Sequence, residues 1–257
     1  MTHGSVLFSG AAHPSLQVVY FCDTTGSMYP YFNRVRASLR DIIERVGRER
    51  TRVESAVYAY KNHGDEQRFF DGTHPFAYQP FSADTDRIAE MLGAVRQGGG
   101  GDGLCAVEDA YHHAADAASL QPRGAAKRVA VVIGDMPPHG VLDCVARCPH
   151  EYDYRQGVAQ LQRLGFTFYS VFCGVEDEFS SERKQKIREY FRWLPRTTGG
   201  TYLDLTDIDS LADILTGICM KETGSLASFL AEVERRPALP QATRRLLAAL
   251  SSPGEHS

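Results

Sequence analysis

Short apolar runs alternate along this chain with segments whose apolar residues recur at helical spacing. The runs end at Cys22, Tyr60 and Ile133, and each is followed by small or polar residues that favour a loop. Between the runs, apolar residues recur every three or four positions, as they do from Phe32 to Val46. Strands that alternate with helices in this way predict a parallel α/β sheet.

The same pattern predicts where each element lies. We expect strands at 17–22, 52–60, 66–71, 128–134, 166–173 and 201–204, and helices at 30–47, 84–96, 104–118, 153–164, 181–194 and 207–219. The segment 66–71 follows the turn-forming residues His63-Gly64-Asp65. It is therefore expected to form a hairpin with 52–60 and to be the one antiparallel edge strand.

The pattern changes after Met220, which divides the chain into a main domain at 12–220 and an extension at 221–257. Two short amphipathic segments separated by prolines predict that the extension is helical. Its last residues, 251–257, are expected to be disordered. The extension either packs back on the domain or docks a partner as a helix, and packing is favoured because the apolar face is short.

The first apolar run ends in a group of oxygen-bearing side chains. Asp23 closes the run, and the hydroxyls of Thr25 and Ser27 follow at the second and fourth positions beyond it. A parallel strand delivers such residues to the carboxyl edge of the sheet, where open α/β folds bind their ligands. An all-oxygen group suits Mg²⁺ or Mn²⁺. The same residue types also cap helices, so capping and metal binding both remain open on local evidence.

A second strand and a glycine-rich segment add further acids. The run that ends at Ile133 continues into Gly134 and Asp135, so two parallel strands are expected to bring Asp23 and Asp135 to one sheet edge. Four consecutive glycines precede Asp102, which indicates a loop that passes very close to another group. Asp102 is either a helix cap or a third acidic arm of the site.

Four motifs in register resemble the von Willebrand factor A (vWA) family. They are the residues Asp23 to Met28, Tyr60-Lys61-Asn62-His63, Gly99 to Cys105, and Asp135 to Gly140. The first resembles the Asp-x-Ser/Thr-x-Ser core of the metal-ion-dependent adhesion site. As a set they are similar to the intracellular and bacterial subgroup that includes the alpha-kinase-associated vWA domains.

The resemblance implies a fold and a metal site. The fold is a doubly wound, mostly parallel sheet with helices on both faces and a divalent cation at its top. The resemblance makes Asp23, Thr25 and Ser27 ligands of the first loop and Asp135 the acid of the third loop. Asp102 takes the place of the threonine that the second loop of many vWA domains supplies. The expected cofactor is Mg²⁺, with Mn²⁺ or Ca²⁺ as alternatives.

Three further residues are candidates for supporting that site. The second motif of the family has an aspartate where this chain has Asn62, followed by His63, and the interpretation favoured here is that these two residues shape a turn. His139 lies just beyond Asp135 and either orients it or shapes the loop. Lys61 is interpreted as a solvated turn residue.

Composition excludes several other classes of function. The net charge of −4 over 257 residues predicts no general attraction to nucleic acid or to an anionic membrane. No apolar run reaches the length of a membrane span, and the first residues do not resemble a signal peptide, which favours a cytoplasmic protein with reduced thiols. Cys144, Cys148 and His150 lie close together, and a zinc site, a redox pair and a loop of reduced cysteines all remain open.

The leading functional hypothesis is a non-catalytic module that binds a protein partner through its metal ion. The resemblance implies that a carboxylate of the partner completes the metal's coordination, and that the chain acts as a regulatory or assembly subunit. The alternative is a metal-dependent hydrolase of the phosphatase type, although Thr25 occupies the position where such an enzyme needs a second acid. A third possibility is a structural domain that holds no metal.

Overall fold

The computed structural model describes residues 15–48, 52–101, 103–121, 126–142, 147–174, 179–237 and 239–251. These residues contain a six-stranded sheet with the order β3-β2-β1-β4-β5-β6. The strands are β1 (Ser15–Asp23), β2 (Arg52–Tyr60), β3 (Phe76–Ser82), β4 (Lys127–Gly134), β5 (Phe166–Phe172) and β6 (Tyr202–Asp204). All neighbouring strands pair in parallel except β2 and β3, which are antiparallel.

Helices cover both faces of the sheet. They are α1 (Tyr29–Gly47), α2 (Glu66–Phe69), α3 (Thr85–Ala94), α4 (Val107–Asp116), α5 (Tyr154–Arg163), α6 (Ser181–Arg196), α7 (Leu211–Glu222), α8 (Leu226–Glu234) and α9 (Gln241–Ser251). Alternate residues of β1 face opposite ways, so Val18 packs in the core beneath α1, α3 and α7, whereas Val19 packs in the core beneath α4, α5 and α6. The predicted doubly wound fold is confirmed.

The antiparallel edge strand exists, but its predicted position was wrong. Residues 66–71 do not form a strand, because the short helix α2 occupies Glu66–Phe69. The backbone N–H of Lys61 donates to Pro75 O at 2.9 Å, so the chain rejoins the sheet only after Pro75. Pro80 lies within β3, which is tolerated because an edge strand has one side without ladder hydrogen bonds.

The segment before α4 is extended rather than helical as predicted. Cys105 N donates to Pro137 O at 3.1 Å, and Ala106 N donates to Lys61 O at 2.8 Å. These bonds hold the segment between the loops that follow β2 and β4, so α4 begins only at Val107. Cys105 is thereby placed at the sheet edge, beside the ends of the central strands.

The two C-terminal helices pack on α7. Phe229 of α8 and Leu247 and Leu250 of α9 are buried and surround Gly217 of α7, where an added Cβ would lie 2.9 Å from both leucine side chains. Of the predicted disordered end, 251–257, Ser251 is the last residue of α9, and residues 252–257 lie outside the described residues. Among the residues that are described, no helix combines the length and the apolar character needed to cross a membrane.

Candidate metal centre

The carboxyl ends of β1 and β4 meet where the strand order reverses. β1 lies between β2 and β4. From β1 the chain first adds β2 and β3 on one side of the sheet and then adds β4, β5 and β6 on the other side. Cys22 pairs with Ile133, which brings Asp23 beside Gly134 and the following Asp135. Both carboxylates are buried, with 1 % and 5 % of their residue surfaces exposed. Such a switch point is where open α/β sheets bind ligands.

Hydrogen bonds fix the carboxylate of Asp23. Its Oδ1 accepts from the backbone N–H of Thr25 at 2.8 Å and from the Thr25 hydroxyl at 2.7 Å, and its Oδ2 accepts from the Cys105 thiol at 2.7 Å. Burial raises the pKa of Asp23, whereas these hydrogen bonds lower it. Burial and then Asp23 raise the pKa of Cys105, so the thiol keeps the proton that it donates.

A glycine loop packs against the residues that follow Asp23. Gly98, Gly99, Gly100 and Gly101 all have positive φ angles, of 109°, 89°, 87° and 150°. Gly26 N donates to the Gly99 carbonyl at 3.3 Å, which joins the loop to the first motif. The backbone passes so close to other groups that a Cβ on Gly99 would lie 2.6 Å from Asp65 Oδ2. The run of glycines is therefore required by both conformation and space.

Lys61 is fully buried beneath the glycine loop, so its interpretation as a solvated turn residue was wrong. Its ammonium donates to the carbonyl of Gly98 at 2.7 Å and to that of Thr24. Burial lowers the pKa of Lys61 to about 8, although the charges of Asp23 and Asp65 act in the opposite direction. This side chain ties the loop to the end of β1.

An open cavity of about 470 Å³ lies in front of these buried groups. Thr25 and Ser27 line it, together with Gly101 and Gly103. Asp102, predicted to be a third acid, lies outside the described residues, but its two neighbours both border the cavity. Hydroxyls at a cavity wall backed by buried carboxylates are a donor set that fits a hard divalent cation.

Of the remaining predicted residues, one shapes a turn and two contact the buried carboxylate of Glu108. Asn62 does shape a turn, because its Oδ1 accepts from His63 N at 2.9 Å and its own N–H donates to Asp65 Oδ2 at 3.3 Å. The imidazoles of His63 and His139 point instead toward Glu108, whose Oε1 lies 3.2 Å from His63 Nε2 and 2.8 Å from His139 Nδ1. His63 therefore does more than shape the turn.

Reasoning from the sequence missed two buried acids near these histidines, Glu108 and Asp109. Glu108 and Asp109 lie in the first turn of α4 and are buried, with 0 % and 3 % of their surfaces exposed. Acidic residues in the first turn of a helix are ordinarily explained by the helix dipole, so their position alone did not indicate a site. The available signal was that both lie within four residues of the end of the third motif, while His63 and His139 belong to two of the other motifs.

Solved structures share this architecture at low sequence identity. A von Willebrand factor type A structure from Catenulispora acidiphila matches 82 % of this chain and 43 % of its own length, with a TM-score of 0.52 and 16 % identity. The chain has the von Willebrand factor A fold. The vWA resemblance of the motifs is thus confirmed at the level of the fold, and the alpha-kinase-associated subgroup stays a prediction.

The structure of a pilus adhesin also matches most of this chain. The pilus adhesin SpaC from Lactobacillus rhamnosus GG, in its open conformation, matches 83 % of this chain and 30 % of its own, with a TM-score of 0.59 and 12 % identity. A second crystal structure of SpaC gives the same TM-score at 14 % identity. The chain thus spans less than half the length of these proteins. No family model and no curated protein matches its sequence.

Proposed function

We propose that this vWA-fold chain is a protein-interaction module that acts through a bound divalent cation. Asp23, Thr25, Ser27, Asp102 and Asp135 hold the ion, which is Mg²⁺ or alternatively Mn²⁺ or Ca²⁺. The observation that carries the proposal is the cavity, because two hydroxyls of the first motif and both neighbours of Asp102 line it in front of a buried aspartate. The ion supplies a positive charge and a position at which an oxygen ligand binds.

The charges of the buried side chains support a cation at this place. Asp23 and Asp135 bring two carboxylates into the interior, and Lys61 brings one ammonium group. Buried charge is costly unless it is compensated. A divalent ion would offset the remaining negative charge, and the carboxylate of Asp102 would strengthen its binding.

The cavity also supports an acidic partner. Arg183 lines the cavity, and its guanidinium donates to Gly103 O at 3.2 Å. A carboxylate from a partner protein would be attracted both to the ion and to this guanidinium, and arginine is well suited to carboxylates. We therefore infer that the partner presents an aspartate or glutamate, and that the chain serves as a regulatory or assembly subunit.

A cytoplasmic location is part of the same proposal. Cys22, Cys105, Cys148, Cys173 and Cys219 are buried free thiols. Free thiols are typical of a reducing compartment.

Calorimetric titration of the metal-stripped protein with Mg²⁺, Mn²⁺ and Ca²⁺ tests the proposal. We expect saturable binding of one ion that is lost in Asp23→Ala and weakened at least about 10-fold in Ser27→Ala, as expected for loss of a ligand. Ser27 is exposed, so its substitution leaves the fold intact. Ser228→Ala, an exposed serine on α8, is the matched control.

Two outcomes would contradict this assignment. Equal Mg²⁺ binding by wild type, Ser27→Ala and Asp23→Ala would place the ion elsewhere. Hydrolysis of phosphate esters that depends on Mg²⁺ and on Asp23 would favour the phosphatase alternative over a non-catalytic module.

A further inference from the structure

A second group of metal-binding side chains comes together from three separate segments. His63 follows β2, Asp109 lies in the first turn of α4, and Cys148 and His150 precede α5. We call these four residues the His63 cluster. One donor atom from each lies within 4.8 Å of every other. The cluster contains one sulfur, two imidazole nitrogens and one carboxylate, which differs in kind from the oxygen donors of the first site.

A tight turn brings two of the donors together. Glu151 N donates to Cys148 O at 3.0 Å, which closes a turn around Pro149 and His150. Proline favours the second position of such turns because its φ angle is fixed. Both side chains contact the carboxylate of Asp109. Cys148 Sγ lies 3.3 Å from Asp109 Oδ2, and His150 Nδ1 is in close contact with Asp109 Oδ1.

The distances among three of the four donors match those between ligands of one zinc ion. Zinc bonds of about 2.0–2.3 Å in a tetrahedron place neighbouring ligand atoms about 3.3–3.7 Å apart. His63 Nε2 lies 3.3 Å from Asp109 Oδ2 and 3.6 Å from Cys148 Sγ. The separation of 3.3 Å between Asp109 and Cys148 completes a triangle of the same size.

The buried negative charge beside the cluster also favours a bound cation. Glu108 and Asp109 are adjacent, and both are almost completely buried. Among the described residues, Glu108 Oε2 has no hydrogen-bond partner. Two buried carboxylates are costly unless positive charge compensates them, and a divalent ion carries a matching charge.

A cluster of hydrogen bonds without an ion is the simpler interpretation. In it, the thiol of Cys148 donates to Asp109 Oδ2, and His150 Nδ1 contacts the other oxygen of the same carboxylate. His63 Nε2 then lies within 3.6 Å of Glu108 Oε1, Asp109 Oδ2 and Cys148 Sγ, whereas one N–H satisfies one acceptor well. An ion among these atoms contacts His63, Asp109 and Cys148 together, which is the arrangement that the distances favour.

We propose that His63, Asp109, Cys148 and His150 bind one Zn²⁺ ion. Cysteine and histidine are preferred ligands of zinc and poor ligands of Mg²⁺, so this ion and that of the oxygen site do not compete for the same donors. His63 Nδ1 lies 3.6 Å from Glu66 Oε1, beyond hydrogen-bond distance. His150 is 44 % exposed, which gives the ion a route from solvent.

With four protein ligands, the ion has a structural role. It joins the loop after β2, the start of α4 and the turn before α5. Glu108 contacts both His63 and His139, so the same ion also supports the loop that carries Asp135. The proposal is independent of the oxygen site, because none of its ligands lines that cavity.

Zinc titration of the metal-stripped full-length chain, in competition with a chromophoric chelator, tests the site. We expect one ion per chain and a loss of affinity of at least about 100-fold in Asp109→Asn and in His150→Ala, because removing a ligand costs at least as much as removing a group that orients one. His112→Ala is the matched control, since His112 lies on α4 but hydrogen-bonds to Asp153 O. Unchanged zinc affinity in both ligand variants overturns the proposal.

Cobalt substitution provides a signature that does not depend on stability. Co²⁺ bound at this site should give a thiolate-to-metal charge-transfer band in the wild type, which Cys148→Ser abolishes and the matched thiol variant Cys144→Ser retains. The band should also persist in Ser27→Ala, which alters only the oxygen site. Absence of the band from the wild type, or its retention in Cys148→Ser, overturns the proposal.

Discussion

The oxygen site and the His63 cluster lie at the same edge of one sheet, yet their donors are arranged in opposite ways. At the oxygen site, Thr25 and Ser27 line an open cavity of about 470 Å³. In the His63 cluster, three of the donors face one another at 3.3–3.6 Å, and Asp109 and Cys148 are buried. The comparison teaches that accessibility, rather than the number of ligands, separates a site suited to a partner from one suited to holding the fold together.

One short segment connects the two regions. The thiol of Cys105 donates to Asp23 Oδ2, while Glu108, three residues later, contacts His63 and His139. The backbone N–H of Ala106, between them, donates to Lys61 O and holds this segment beside the end of β2. Three experiments sharpen this comparison, and the largest effect is expected at Lys61, which is buried beside the oxygen site.

Lys61→Met should lower the free energy of unfolding by about 3–5 kcal/mol, the range for breaking a buried charge pair. The substitution removes the donor to the carbonyls of Thr24 and Gly98 and leaves Asp23 without its buried counter-charge. Urea denaturation measures the effect. Lys127→Met, at an exposed position that begins β4, is the control and should change stability by less than about 0.5 kcal/mol. Equal loss in both variants would show that the glycine loop is held by other contacts.

The two regions were not equally predictable from the sequence. Asp23 and Asp135 could be placed because each follows a β-type run, and parallel strands bring their carboxyl ends to one edge. The burial of Lys61 could not be predicted, because its contact with Gly98 joins residues 37 positions apart. The strand at Phe76–Ser82 was also not predicted from the sequence, because Phe69 and Phe70 made the segment 66–71 resemble the edge strand instead.

Only part of the His63 cluster could be predicted from the sequence, because its donors are also far apart along the chain. Cys148 and His150 are close in the sequence and suggested zinc, with Cys144 as the third ligand. Cys144 lies outside the described residues. The structure supplies His63 and Asp109 as further donors, 85 and 39 residues before Cys148. Such distant contacts are set by tertiary packing, which a local pattern does not encode.

Thermal unfolding with each ion separates the two regions. At a concentration 100 times its dissociation constant, an ion that binds only the folded state adds about 2.7 kcal/mol of stability, or about 5–10 °C in Tm for a chain of this size. We expect Asp109→Asn to abolish the shift caused by Zn²⁺ and to keep that caused by Mg²⁺. At the same ion concentrations, Ser27→Ala should keep the shift caused by Zn²⁺ and reduce that caused by Mg²⁺ to about half or less, since a 10-fold loss of affinity leaves about 1.4 kcal/mol of stabilisation. Loss of both shifts in one variant would show that the regions form a single site.

The smallest expected quantity is the difference between two variants, at glycines with nearly equal backbone angles. Gly64, in the turn that carries His63, has φ 92° and open space around its Cβ position, whereas Gly99 has φ 89° and would place a Cβ 2.6 Å from Asp65 Oδ2. Gly64→Ala should cost about 1–2 kcal/mol, the cost of a left-handed alanine. Gly99→Ala should cost about 1–3 kcal/mol more, because the loop must shift away from Asp65 and Lys61. Measured by urea denaturation, equal losses would mean that the loop over the oxygen site moves freely, and its description as an anchored wall of the cavity would be wrong.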